Sequence, residues 1–196
     1  MRKYLAIVVL LAGLGLLSQA FWLEAKAWLG QQLIARAWAQ SLQSGQPVKP
    51  WPWADTWPVA RLSLPNGEVR YVLHGVSGHA LAFGPGHLTA SAKPGQTGST
   101  VIAGHQDSHF RVLESVSIDE LLQIEDHQGQ SHTYRVEQIR IVDSSQERLQ
   151  LQWDTPELRL ISCYPFDSLT TGGDLRYVVS AIPVWADQPH RLAAGG

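Results

Sequence analysis

The chain contains one cysteine, Cys163, which falls at the end of the apolar run Leu158-Arg159-Leu160-Ile161-Ser162-Cys163-Tyr164-Pro165. A second run, Thr100 to Ala103, ends at Gly104-His105, and Arg176 opens a third, Leu175 to Ile182. A thiolate attacks a carbonyl far better than a thiol, and adjacent positive charge favours the thiolate. An imidazole can give a proton to a departing amine and take one from an incoming nucleophile. A guanidinium keeps its charge and can hold the oxyanion of a tetrahedral intermediate. Thiol, imidazole and guanidinium at three strand ends are the parts of a cysteine transferase.

These parts work together only if the elements carrying them converge. The last two runs are joined by the loop Tyr164 to Asp174. If they pair antiparallel, the end of the first faces the start of the second, with Cys163 beside Arg176. Arg159 shares a strand face with Cys163 but lies about 13 Å back along the strand. Arg176 is therefore the candidate.

From Val59 onward, short apolar bursts alternate with turn chemistry, the pattern of a mainly β domain. Val59 to Leu64 and Val69 to His74 flank Pro65-Asn66-Gly67, a hairpin signal. Phe110, Leu113 and Val116 suggest one or two helical turns. Leu121 to Glu125 and His132 to Val142 flank a turn at Gln128-Gly129-Gln130. Tyr134 and Val136 share one phase and Ile139 and Ile141 the other, which implies a bulge near Glu137-Gln138. Leu149, Leu151 and Trp153 alternate cleanly, as a strand would. With Leu158 to Cys163 and Leu175 to Ile182 this makes about eight strands, and a closed barrel leaves few bare edges.

The N-terminus reads as a membrane segment. Arg2 and Lys3 precede Tyr4 to Leu23, which carry no charge, and a helix of that length is about 30 Å long, the depth of a bilayer core. The basic pair predicts a cytoplasmic start and an extracytoplasmic domain. A cleaved leader is the competing reading, since Ser18-Gln19-Ala20 has small residues at suitable offsets. The anchor is preferred because helical spacing continues through Trp28, Leu29, Leu33, Ala37 and Trp38. That helix is expected to lie on the bilayer or against the domain. The prolines of Gly45 to Trp53 deny a helix there, and the linker tryptophans are expected to dock. The chain divides into a signal-anchor (1–23), a juxtamembrane helix and Pro/Trp-rich linker (24–57), a catalytic barrel (58–187) and a tail (188–196).

Several classes are disfavoured. A formal net charge of −2 and 16% charged residues give no basic patch for nucleic acid. His105 and His109 have zinc-helix spacing but lack the glutamate and a third ligand. Glu147, Asp154 and Glu157 are too scattered to support a calcium site, although calcium remains open. Gly75-Val76-Ser77-Gly78 fails the nucleophile-elbow spacing. Asp107 either orients His105 or, with Ser108, caps a helix, the second being favoured.

Phe83-Gly84-Pro85-Gly86-His87, Pro94-Gly95-Gln96-Thr97-Gly98 and Val101-Ile102-Ala103-Gly104-His105 together resemble the signature around the sortase histidine. Leu160-Ile161-Ser162-Cys163 is similar to the end of the sortase cysteine strand, and Arg176-Tyr177-Val178-Val179 to its arginine strand. The membrane segment, linker and compact domain look most like the proteobacterial class GN members. The resemblance implies an eight-stranded sortase β-barrel with short helices behind an N-terminal transmembrane helix, in the inner membrane with the domain outside. It implies that Cys163 cleaves an LPxTG-like sorting signal of an exported protein through a thioester, which an amine resolves. His105 would be the acid/base and Arg176 the oxyanion donor; Gly104, Ser162 and Tyr164 are candidate substrate-binding residues. No cofactor or metal is implied. Ser162 in place of threonine, Arg159 at the opening of the motif and Gln106 after the histidine are departures that bear on substrate preference. An L,D-transpeptidase also uses an exported cysteine, but Ser162 and Pro165 occupy positions where that family has glycine and arginine. A tethered binding module with an inert cysteine is the non-enzymatic alternative.

Overall fold

The computed structural model describes residues 2–168 and 173–187. The hairpin of β1 (Pro58–Ser63) and β2 (Val69–His74) forms where Pro65-Asn66-Gly67 predicts it. Gly67 holds φ 84°, the left-handed region that glycine enters without a Cβ penalty. The other strands are β3 (Gly86–His87), β4 (Ser99–Gly104), β5 (Leu121–Glu125), β6 (Ser131–Asp143), β7 (Glu157–Cys163) and β8 (Leu175–Pro183). They close into one barrel in the order β1-β2-β3-β4-β7-β8-β6-β5. The pairings β2 with β3 and β4 with β7 are parallel. Hence β4 and β7 end at the same rim, where β8 begins.

Strand alternation decides what faces inward. Along β7, Leu158, Leu160 and Ser162 are buried, while Arg159, Ile161 and Cys163 lie on the outer face. Leu62, Ile102, Phe110, Leu122, Ile124, Leu158, Leu160 and Val179 fill the interior, and full burial of each contributes about 1.5–3 kcal/mol. The register of β6 against β8 shifts between Val136 and Gln138, so the phase change read from Tyr134 to Ile141 is a bulge. The helical turns expected after His105 are a 3-10 helix, Arg111–Ser115.

One strand was misplaced. Leu149 to Trp153 is irregular, with Leu149 38% and Trp153 67% exposed. Its backbone is satisfied at strand ends instead of in a ladder: Ser99 N donates to Gln152 O at 2.8 Å and Gln152 N to Ser99 Oγ at 2.9 Å. The eighth strand is β3, two residues long and too short to show a period.

The helix α1 (Arg2–Ser44) is unbroken and covers both N-terminal segments. Among the described residues no helix is long and apolar enough to cross a membrane. The crossing expected over Tyr4 to Leu23 is therefore not found there; the side chains of Leu5, Ala6, Val8, Val9, Ala20 and Leu23, like the tail 188–196, lie outside the described residues. The second half of α1 lies against the barrel. Ile34, Ala37 and Trp38 are buried, and Gln31 Nε2 donates to Phe83 O at 2.7 Å. Trp28 and Leu29, expected in the same stripe, are exposed, because the contact begins only at Gly30, against the Phe83 ring. In the linker Trp51 sets its edge on Phe83 and Trp57 stacks on His74 at 4.0 Å, whereas Trp53 is exposed.

Candidate active site

Cys163 and Arg176 are direct partners across the antiparallel pair of β7 and β8. Residues directly opposite on such a pair project from the same face. On the other side of β7, Gly104 pairs with Ser162 in parallel register, so His105 leaves β4 beside Cys163. Cys163 and Arg176 are half-buried and His105 is exposed, so none of the three is sealed in the core. Arg176 Nη1 donates to Gly173 O at 2.5 Å and Leu175 O at 2.9 Å. Those two carbonyls hold the guanidinium along the rim and away from the core.

The rim is braced from inside. Ser162 is buried and its Oγ donates to Gly104 O at 3.2 Å, tying the ends of β7 and β4 together. A Cβ on Gly104 would stand 2.7 Å from Phe110 Cδ2, so the ring presses on bare backbone. Phe110 N in turn donates to His105 O at 3.0 Å. Gly104 and Ser162 thus face inward and fix the strand ends, whereas Tyr164 stands at the rim against Phe166 and Tyr177. Asp107 is exposed and accepts from Ser108 Oγ at 3.2 Å. It caps no helix: a turn intervenes, and the 3-10 helix starts after Phe110 without a side-chain cap. His109 sits half-buried with Nε2 3.2 Å from Leu81 O. Burial lowers its pKa, and the hydrogen bond to the Leu81 carbonyl acts in the opposite direction.

Arg159 is committed elsewhere, to Glu157 at 2.8 Å and to Gln150 O at 2.7 Å. Glu147 pairs with Arg140 at 3.2 Å, so two of the three acidic residues weighed for calcium are held by arginines. Sequence reasoning missed the cleft between these groups, of about 280 Å³, which includes Arg140, Val142, Arg148, Val178 and Ser180 in its lining. The strand registers place it. Val142 stands opposite Arg176, Arg140 opposite Val178 and Gln138 opposite Ser180, so the outer face leads rung by rung to the sulfur. Only the pairing of β6 with β8 reveals this, since no short motif in β6 marks it.

The family model for the sortase domain matches residues 62–184, from within β1 to the end of β8. Sortase D of Bacillus subtilis (strain 168) is 30% identical over 109 residues, 55% of this chain and 54% of that protein. The chain thus spans about half the length of that curated relative. Sortase A from Corynebacterium diphtheriae is similar with a TM-score of 0.59 and 29% identity, covering 67% of this chain and 63% of that one. A Clostridium perfringens Sortase D5 transpeptidase shares the fold with a TM-score of 0.63 at 16% identity, over 80% of this chain and 98% of the other. With the family's domain matching more than half of the chain and all but the first residues of the barrel, the chain belongs to the sortase family.

Proposed function

We propose that this protein is a cysteine transpeptidase acting on exported proteins that end in an LPxTG-like sorting signal. The Cys163 thiolate attacks the threonine carbonyl carbon; a C–S bond forms and the C–N bond to glycine breaks. His105 supplies the proton that the departing amine needs. An acceptor amine then attacks the thioester, His105 takes its proton, and the thiolate leaves. Arg176 stabilises the oxyanion in both steps, the kind of interaction that strengthens as charge develops. The sorting signal lies in the cleft over β6, β7 and β8. The apolar half of α1 anchors the enzyme in the inner membrane with the barrel outside; Tyr4, Leu10, Leu14, Leu17 and Phe21 on that half are all more than half exposed. The apolar N-terminal segment, the Trp/Pro-rich linker and the compact domain favour the class GN type.

The observation that carries this reading is the direct pairing of Cys163 with Arg176, with His105 at the end of the adjoining parallel strand. The test uses the full chain in detergent, a Leu-Pro-x-Thr-Gly peptide and an amine acceptor. Mass spectrometry should find a thioester on Cys163 and the amine-exchanged product, both absent in Cys163→Ala. Binding of the peptide without turnover, or turnover that survives Cys163→Ala, refutes the proposal.

A further inference from the structure

The direction of α1 along the barrel carries information that the catalytic centre does not. Gly30 and Gln31 meet Phe83, while Leu42 lies against the β5–β6 turn, with its Cδ2 3.8 Å from where a Cβ on Gly129 would be. The ladders say which end of the barrel each contact marks. Leu73 pairs with Gly86, Gly86 with Ala103 and Ala103 with Ile161, two residues below His105 and Cys163 at the catalytic rim. Gly84, next to Phe83, abuts Tyr71 O, and β2 runs downward from Tyr71 to Leu73. Phe83 therefore sits toward the rim that carries His105 and Cys163; His109 also touches this side, at Leu81. The β5–β6 turn is at the opposite end, below the pairing of Glu125 with Ser131.

The helix thus descends from the catalytic rim to the far end of the barrel, about 18 Å between Gly30 and Leu42. Its apolar N-terminal half projects beyond the rim. We infer that α1 holds the catalytic rim toward the bilayer, with the sulfur at a fixed height close above the membrane surface, so that the docked helix sets the length of spacer the enzyme accepts between a cleavage motif and a membrane span. From Leu23, the last apolar residue of the run, to Gly30 the helix covers about 10 Å. About three extended residues between the cleavage motif and the substrate's span bridge that distance. No proline or glycine interrupts α1 between Leu23 and Gly30, so the barrel cannot swing away without breaking the helix or its docking contacts. The inference rests on the proposed membrane anchoring, and its orientation readout does not require transpeptidation.

The experiment uses the full chain in liposomes, in a Cys163→Ala background that leaves no native thiol. A fluorophore is placed at Asp167→Cys, exposed beside the rim, or at Gln128→Cys, exposed in the β5–β6 turn. Energy transfer to a headgroup dye should be markedly stronger from Asp167→Cys. Equal transfer, or stronger transfer from Gln128→Cys, overturns the inference, as does failure of the chain to bind liposomes. A second measurement uses the active enzyme and substrates with spacers of different length before their membrane span. Seven helical residues inserted after Leu23 rotate the docked face by only about 20° and raise the rim by about 10 Å. The preferred spacer should lengthen by about three residues; an unchanged preference refutes the fixed height. Turnover of a soluble peptide should be equal with and without the insertion. If the soluble peptide is not turned over at all, the transpeptidase reading fails, while the fluorophore measurement still decides orientation.

Discussion

Gly104→Ala tests whether the histidine is positioned from behind by the core. The added Cβ would lie 2.7, 2.9 and 3.1 Å from three carbons of the Phe110 ring, where ordinary contact begins at 3.4 Å. The ring must retreat by about 0.7 Å, but Phe110 is fully buried among tightly packed neighbours. Overpacking of this kind costs about 1–3 kcal/mol, which for a domain of this size is a fall in Tm of about 2–12 °C. The displacement also reaches the catalytic side, because Phe110 N is bonded to His105 O. A shift of roughly 1 Å in a catalytic group can lower turnover about 100-fold, so activity should drop more than stability alone explains. Calorimetry and single-turnover acylation read the two effects separately. Phe110→Leu opens the space, so in that background Gly104→Ala should cost far less, a coupling measured by the double-mutant cycle. If Gly104→Ala is as costly beside Leu as beside Phe, the ring is not what excludes the side chain.

Other perturbations probe the remaining contacts. Arg176→Lys keeps a charge but loses the planar donor, and should lower the acylation rate about 10²- to 10³-fold while Cys163 stays alkylatable; a change within threefold would remove Arg176 from the chemistry. Burial alone would raise the Asp126 pKa, but hydrogen bonds from His132 and from the Gln130 and Gln128 backbone together lower it below 3.8. His132→Ala should therefore cost about 1.5–3 kcal/mol near neutral pH. Because the folded pKa is the lower one, this contribution is present above 3.8 and is lost as pH falls through the folded value; melts at pH 7 and pH 3 should show the difference between variant and parent shrinking. His87 is buried, and desolvation lowers its pKa despite the Ala92 carbonyl, with the charges of His74 and Lys93 adding to the fall. Its folded state resists protonation, so stability should decline as pH drops below 6.5, by at most about 1.4 kcal/mol per pH unit. His87→Asn should flatten that slope.

How far the sequence reached depended on the range of each signal. The hairpin at Pro65-Asn66-Gly67 and the bulge after Val136 are local, and both were legible because glycine's left-handed backbone and a phase change leave a mark in a few residues. Cys163 and Arg176 could be paired because one loop joins their strands and an antiparallel return brings its two ends together. The stretch from Leu149 to Trp153 misled for the converse reason: alternation shows that residues take opposite sides, not that a partner strand lies alongside. β3 carries two residues and hence no period. Gly86 is required there because a Cβ would lie 2.2 Å from Gly75 O, a long-range fact that no local pattern contains. The cleft over β6 was invisible because its walls come from the irregular segment around Glu147 to Gln152 and from three strands whose neighbours are set by the closed sheet.

The parallel pair of β4 and β7 explains why the site needs a barrel at all. Two strands adjacent in an antiparallel hairpin end at opposite rims, so each rim can collect only one strand end and one strand start from them. In this fold β4 and β7 run the same way, and the crossover from Gly104 to Glu157 places the ends of both at one rim. β8 then begins where β7 stops, adding Arg176. The three groups proposed for the chemistry thereby arrive at one edge, on or directly after hydrogen-bonded strand ends, with Ser162 bonded to Gly104 across the parallel seam. Rigid strand ends lower the conformational cost of bringing the groups together, which is the positioning term of catalysis. Removing the Ser162 hydroxyl should loosen that seam first at His105, since Arg176 is held separately by Gly173 O and Leu175 O. Ser162→Ala should accordingly depress steps that depend on His105 proton transfer, and show it as a weakened pH dependence, while Cys163 and Arg176 remain paired. Retention of the full parent pH profile would mean that the seam is not what positions the imidazole.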